Sequence, residues 1–449
     1  MDVRIRRAML IASVLIFVIT APIVVLYALG YRENLLGSQR QAIGVLILES
    51  LPSQAKVAVN DVSRGNSPEA IPNLKPGAVT ARVEKEGYHP WAKNVSIEPA
   101  KATEFRNIRL FLSNPERSVV QTSSHQFSLS PDRKLIASVS ENLSLNLVNA
   151  LTYQSNIAPL KLSQKPTGLL WSPDSSLLLI QYPSNTFEIL NINVSQNQYR
   201  PVPELANTTN HSWDLNRSNV LYALDQNQQL ISLDFATNQK TTVAPNITNY
   251  ALSTNRIYTT SPDARAIAIR SSSGQSQNVI NPNLDADQQI DRLMTTPAGS
   301  LAFQTTTNNL YYWQGDQSQA IGAAIKASFS PDGTMLLVQT HGNELAVFNI
   351  DNESVMNYIP LRRLHLVTRL SRPIQNPQWF AGGAHLIYQV DDSITITEID
   401  TRHYAISHTI DTTNLGDASV TVGQDGTIVY YLKKTDDQTQ LIASPLFEK

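Results

Sequence analysis

Phe127-Ser-Leu-Ser-Pro-Asp132, Leu170-Trp-Ser-Pro-Asp174 and Phe329-Ser-Pro-Asp-Gly333 are three copies of one phrase in a 449-residue chain. Proline presets φ for a turn, and the aspartate side chain can bond the backbone that follows it. Each copy leads into an apolar strand: residues 134–140 (KLIASVS), 176–182 (SLLLIQY) and 334–340 (TMLLVQT). A second alternating strand follows each, at 144–150, 187–193 and 344–350. The unit is therefore strand, turn, strand, polar turn, strand. The three aspartates read as turn-formers, not as catalytic acids.

Weaker copies fill the gaps at Trp213–Arg217, Tyr250–Thr254, Leu293–Pro297, Trp379–Gly383 and Val422–Gly426. Eight turn phases result, at a period near 42 residues, which is the spacing of propeller blades. Ser261-Pro262-Asp263 is out of phase and reads as a turn inside the fourth blade. Eight blades are expected, with seven as the alternative count. The last blade lacks an outer strand, and residues 118–122 (SVVQT) are expected to supply it, since closure removes an exposed sheet edge. This half resembles the WD40-like propellers built on Ser-Pro-Asp-Gly repeats, including Tol-type periplasmic propellers. That resemblance implies a fold and leaves the ligand open.

Residues 43–111 show short period-2 segments between Pro, Gly, Asn and Asp, the pattern of a small β-sandwich. Pro52-Ser53-Gln54-Ala55, Asn73-Leu74-Lys75-Pro76-Gly77 and Lys85-Glu86-Gly87-Tyr88 carry a resemblance to the PEGA domain. Members of that family are mostly bacterial surface modules without catalysis, so the resemblance implies a spacer or an envelope-binding role. This chain has Gln54 where the family has glycine, and glutamine tolerates positive φ poorly, so a different turn is expected there. Tyr88 and Trp91 suit the sandwich core; the competing reading stacks them on a sugar ring.

Residues 8–30 contain an uncharged apolar run of about 22 residues, enough to span a ~30 Å hydrocarbon core. Arg4, Arg6 and Arg7 precede it, which favours an N-terminus inside. The expected layout is a cytoplasmic stub (1–7), a transmembrane helix (8–30), a linker (31–42), a PEGA-like sandwich (43–111), a linker (112–117) and a propeller (118–449). The fold class expected is all-β with one N-terminal transmembrane helix, placing the bulk of the chain outside a cell membrane.

Composition excludes some chemistry. There are no cysteines, hence no disulfides or thiolate metal sites. A net charge of −2 argues against nucleic acid as a partner. No nucleophile elbow, phosphate loop or His-Glu-x-x-His pattern occurs, and no cofactor motif. His403 and His408 point to opposite faces of a strand. Asn281, Asn283, Asp285, Asp287 and Asp291 have the spacing of oxygen ligands for Ca²⁺, yet no glycine assists the wrap, so a solvated acidic loop is the plainer reading. The longest interval between turns carries residues 361–373 (LRRLHLVTRLSRP). Arg362, Arg363, His365, Arg369 and Arg372 are the candidate partner-binding residues, suited to an acidic or anionic partner.

Two functions compete. The favoured one is a non-catalytic binding or scaffolding protein of a cell envelope, with a protein or polysaccharide partner. The alternative is an envelope glycan hydrolase or lyase, which requires acids or histidines converging in the propeller channel.

Overall fold

The computed structural model describes residues 3–28, 43–155, 158–193, 199–315, 317–415, 419–423 and 426–448. The side chains of 3–8 and 26–28 fall outside that description, as does the expected linker 31–42. Contacts divide the chain into two units. The first comprises residues 1–115 with 402–406 and 447–449, and the second residues 116–401 and 407–446.

The N-terminal expectation is corrected. A helix α1 forms at Val3–Ala28, but among the described residues no helix is long and apolar enough to cross a membrane. Among the described residues the fold is all-β with an N-terminal helix, and the transmembrane span expected from apolar continuity is not found.

In the first unit, β1 (Gly44–Leu51), β4 (Glu69–Leu74) and β7 (Ala102–Arg109) form one sheet in the order β4-β1-β7. The other sheet has the order β3-β2-β5-β6, from β2 (Lys56–Val59), β3 (Val62–Asn66), β5 (Gly77–Glu84) and β6 (Trp91–Ile97). Alternate residues Leu46, Leu48, Val57, Val59, Ala81 and Val83 are buried, as period-2 strands facing one core require. Tyr88 and Trp91 are buried too, Trp91 edge-on to Phe105 at 5.1 Å. They are core residues and offer no sugar platform. Gln54 departs from expectation: it adopts the positive φ (+60°) that glycine would take. Two bonds hold it there, Gln54 N to Ser67 O (2.7 Å) and Ala55 N to Ser67 Oγ (3.2 Å), against a cost of about 1–2 kcal/mol for the left-handed backbone.

The second unit contains eight four-stranded antiparallel sheets among the described residues. Blades 1 to 7 each run from an inner first strand to an outer fourth strand. Blade 8 uses Val420–Val422, Ile428–Lys434 and Thr439–Pro445. Its fourth strand is β8 (Ser118–Gln121), antiparallel to Thr439–Pro445, with Ile442 opposite Val119. The strand expected from the sequence closes the ring. Buried clusters join successive blades. One holds Phe127, Ile136 and Val148 of blade 1 with Ile428, Tyr430 and Leu441 of blade 8.

Two repeated polar devices stitch neighbouring blades together. The indole N–H groups of Trp171, Trp213 and Trp379 each donate to a carbonyl in the first strand of the preceding blade: Ser128 (3.3 Å), Leu170 (3.3 Å) and Ser328 (3.1 Å). Glutamines late in the second strands of blades 5, 6 and 7 donate forward to carbonyls where the chain passes to the next blade. Gln304 reaches Ala324 O, Gln339 reaches Ile374 O (2.9 Å) and Gln389 reaches Leu415 O. Gln339 is buried, so Gln339→Leu strands a desolvated carbonyl. The expected loss is about 1–2 kcal/mol, read as a lower urea midpoint at unchanged m-value.

Candidate functional site

The Ser-Pro-Asp turns are structural in every bond they make. Ser130 Oγ donates to Asp132 Oδ1 (2.7 Å), which also accepts from Lys134 N (3.1 Å), while Leu135 N donates to Ser130 Oγ (3.0 Å). The same three bonds recur at Ser172–Asp174 (2.7, 3.1 and 2.9 Å) and Ser330–Asp332 (2.5, 3.1 and 2.9 Å). Partial burial works to raise each carboxyl's pKa, but the serine and backbone donors outweigh it and hold all three low. Gly333, at φ +74°, completes the third turn, where a Cβ would come within 2.9 Å of Thr296 in the adjacent blade.

The basic segment becomes the outer fourth strand of blade 6, Leu364–Arg369, entered through a single 3-10 turn at Glu353–Val355. Its side chains do not converge. Arg369 pairs with Glu344 (2.5 Å) and Arg372 with Asp391. His365 Nε2 lies 2.6 Å from Thr401 Oγ1, and burial lowers its pKa. Arg362 and Arg363 are exposed and make no ion pair among the described residues. Leu364 and Leu366 are exposed beside them.

At the loop whose spacing suits Ca²⁺ ligands, Arg265 donates to the carbonyls of Leu284 (2.9 Å), Asp285 (3.1 Å) and Ala286 (2.8 Å). A guanidinium thus holds the loop oxygens. No cluster of three metal-binding side chains occurs among the described residues.

Two of the grooves among the described residues of the propeller have room for a ligand. One, of about 390 Å³, lies between blades 2 and 3 where their inner strands begin, lined by Leu170, Gln181, Asn185, Thr209, Asn210 and His211. Burial pushes the His211 pKa down to about 4. Its Nε2 lies 2.8 Å from Thr208 Oγ1 and its ring packs on Phe187, so it is a neutral packing group. The larger, about 650 Å³, lies between blades 4 and 5 at the end carrying the Ser-Pro-Asp turns, lined by Arg256, Tyr258, Asn278, Tyr312, Trp313 and Gln314 among others. Sequence reasoning missed both, because each joins residues from two blades that no local pattern links.

The first unit can now be compared with known families. The match to the PEGA domain family spans residues 43–110.

This segment is a PEGA domain.

The remainder has a WD40-like β-propeller fold. Over 74% of the chain it is similar to the C-terminal WD40 domain of Sif2, with 13% identity, 98% of that chain covered and a TM-score of 0.50. The β-propeller domain of Myceliophteria thermophila Cps50 (Swd1) covers the same share at 14% identity, with 98% of that chain covered and a TM-score of 0.43. The dihydro-heme d1 dehydrogenase NirN matches over 65% of the chain and 67% of its own, at 14% identity and a TM-score of 0.47. At these identities the likeness is one of fold. No curated protein matches the chain.

Proposed function

We propose that this PEGA-propeller chain is a non-catalytic binding or scaffolding protein of a cell envelope. One observation carries the reading: the acids of the repeated turns and of the propeller's ion pairs are committed to their own neighbours. Asp132, Asp174 and Asp332 close turns. Asp214 holds Arg217 (2.7 Å), Glu344 holds Arg369, and Asp411 holds Lys433 (3.0 Å) and Arg117 (2.9 Å). A glycan hydrolase needs two carboxyls facing each other across a substrate, one of them kept protonated. The two larger grooves are lined, among the described residues, by amides, hydroxyls, rings, aliphatic side chains and one arginine. A rigid propeller presenting many loops suits recognition, and a PEGA domain in the same chain suits the surface of a cell.

The test is crosslinking in native membranes followed by identification of captured molecules: reproducible capture of one partner supports the reading, and capture of none contradicts it. The exposed Arg362 and Arg363, just before that strand, are the part of the basic segment left to meet an anionic partner. Arg362→Ser with Arg363→Ser is expected to lower capture several-fold at low salt and little at high salt, where screening already removes the attraction. Equal capture by variant and wild type at low salt removes these two arginines from the interface.

A further inference from the structure

We infer that the groove between blades 4 and 5 is a binding site for a hydroxyl-rich oligosaccharide, an inference that rests on the binding reading above and names its ligand class. Its volume of about 650 Å³ falls within the ~300–1,000 Å³ of small-molecule sites. The lining combines a ring with uncommitted hydrogen-bonding groups. Three of the four propeller tryptophans give their indole N–H to the preceding blade. The fourth, Trp313, is half-buried, lines the groove, and gives its N–H to no partner among the described residues. Arg256 and Gln314 likewise make no side-chain hydrogen bond or ion pair there, although Tyr258 and Asn278 are partly engaged. Tyr258 donates to Gly299 O (3.0 Å), and Asn278 Oδ1 accepts from Val279 N (2.8 Å), leaving its amide N–H₂.

The chemistry of this set selects its ligand. A sugar ring presents a C–H face and a rim of hydroxyls that both donate and accept. An amphipathic indole covers the first, and amide and guanidinium groups answer the second. A phosphate or multiply charged ligand would call for more than the single cation present. A peptide adding to a sheet edge would recruit backbone groups instead of this collection of side chains. Among the described residues that line the groove there is no carboxylate and no histidine.

The test uses the full chain with maltohexaose, cellohexaose and chitohexaose, followed by calorimetry and by tryptophan emission. At least one hexasaccharide is expected to bind with a sub-millimolar Kd and to shift the emission. Trp313→Ala should weaken it at least tenfold and abolish the shift. Asn278 and Gln314 are exposed, so the double variant N278A/Q314A should keep the wild-type melting temperature and still weaken binding at least tenfold. Absence of binding by all three sugars, or wild-type affinity in the double variant, overturns the inference. Sugar binding that fails while membrane crosslinking still captures a partner sinks this site alone. Cleaved sugar products would sink the non-catalytic reading itself.

Discussion

Deleting residues 116–122 is expected to destroy cooperative unfolding of the propeller. β8 is the fourth strand of blade 8, pairing through Ser118, Val119 and Gln121 with Ala443, Ile442 and Leu441. Without it, the strand Thr439–Pro445 becomes an open edge with unpaired N–H and C=O groups. The loss also takes Val120 from the cluster that joins blade 8 to blade 1, and Arg117 from Asp411. Together these amount to much of the roughly 5–15 kcal/mol that holds an ordinary domain folded. Circular dichroism melts should show a broad, early transition and a tendency to aggregate. A melt superimposable on wild type would mean that the ring does not depend on this closure.

The second large effect belongs to Asp411. Its carboxylate, nearly buried, accepts from Lys433 Nζ (3.0 Å to each oxygen) and Tyr431 OH, and pairs with Arg117 (2.9 Å). It ties the outer strand of blade 7 to blade 8 and to the residue that leads into β8. Burial works to raise its pKa, but the hydrogen bonds from Tyr431, the Thr412 backbone and Lys433, with the Arg117 charge, hold it below its ordinary 3.8. Asp411→Asn leaves two partly buried cations short of a counter-charge. The expected cost is about 2 kcal/mol at pH 7, below the ~3–5 kcal/mol of a fully buried broken pair because Lys433 and Arg117 keep some solvent. The sign follows from linkage. A depressed folded-state pKa stabilises the protein at pH values above the unfolded value, and that contribution fades as pH falls through the folded one. Wild type and variant should therefore differ by a constant amount near neutrality, and the gap should narrow as pH falls below about 4 and through the lower folded-state value. A gap that does not narrow at all on acidification below about pH 4 would show that the lost stability has another source.

Some of this architecture was legible because local chemistry forced it. The Ser-Pro-Asp phrase specifies its turn through side chains two to five residues apart, so its period counted the blades and left residues 118–122 as the only spare strand near the start. The Pro and Gly punctuation around Leu74-Lys75-Pro76-Gly77 served the PEGA domain in the same way. What lay hidden depends on partners far along the chain. Nothing near Arg369 or Arg372 announces Glu344 or Asp391, so a strand of paired cations read as a free basic patch. Gln54 adopts a glycine's backbone because Ser67 holds it there. The glutamines at 304, 339 and 389 recur in the sequence at the ends of apolar strands and could have been found as a second repeat. The apolar N-terminal run suggests a span by its continuity alone, whereas among the described residues no helix is long and apolar enough to cross a membrane.

The central claim is that the propeller binds without breaking bonds. Its most direct test is mass spectrometry of the three hexasaccharides after prolonged incubation with the full chain at near-stoichiometric concentration, in the buffer where binding is measured. The account predicts a sugar that is bound and recovered at its original mass. A bound sugar recovered as shorter fragments, or with the mass change of an eliminated product, would contradict it.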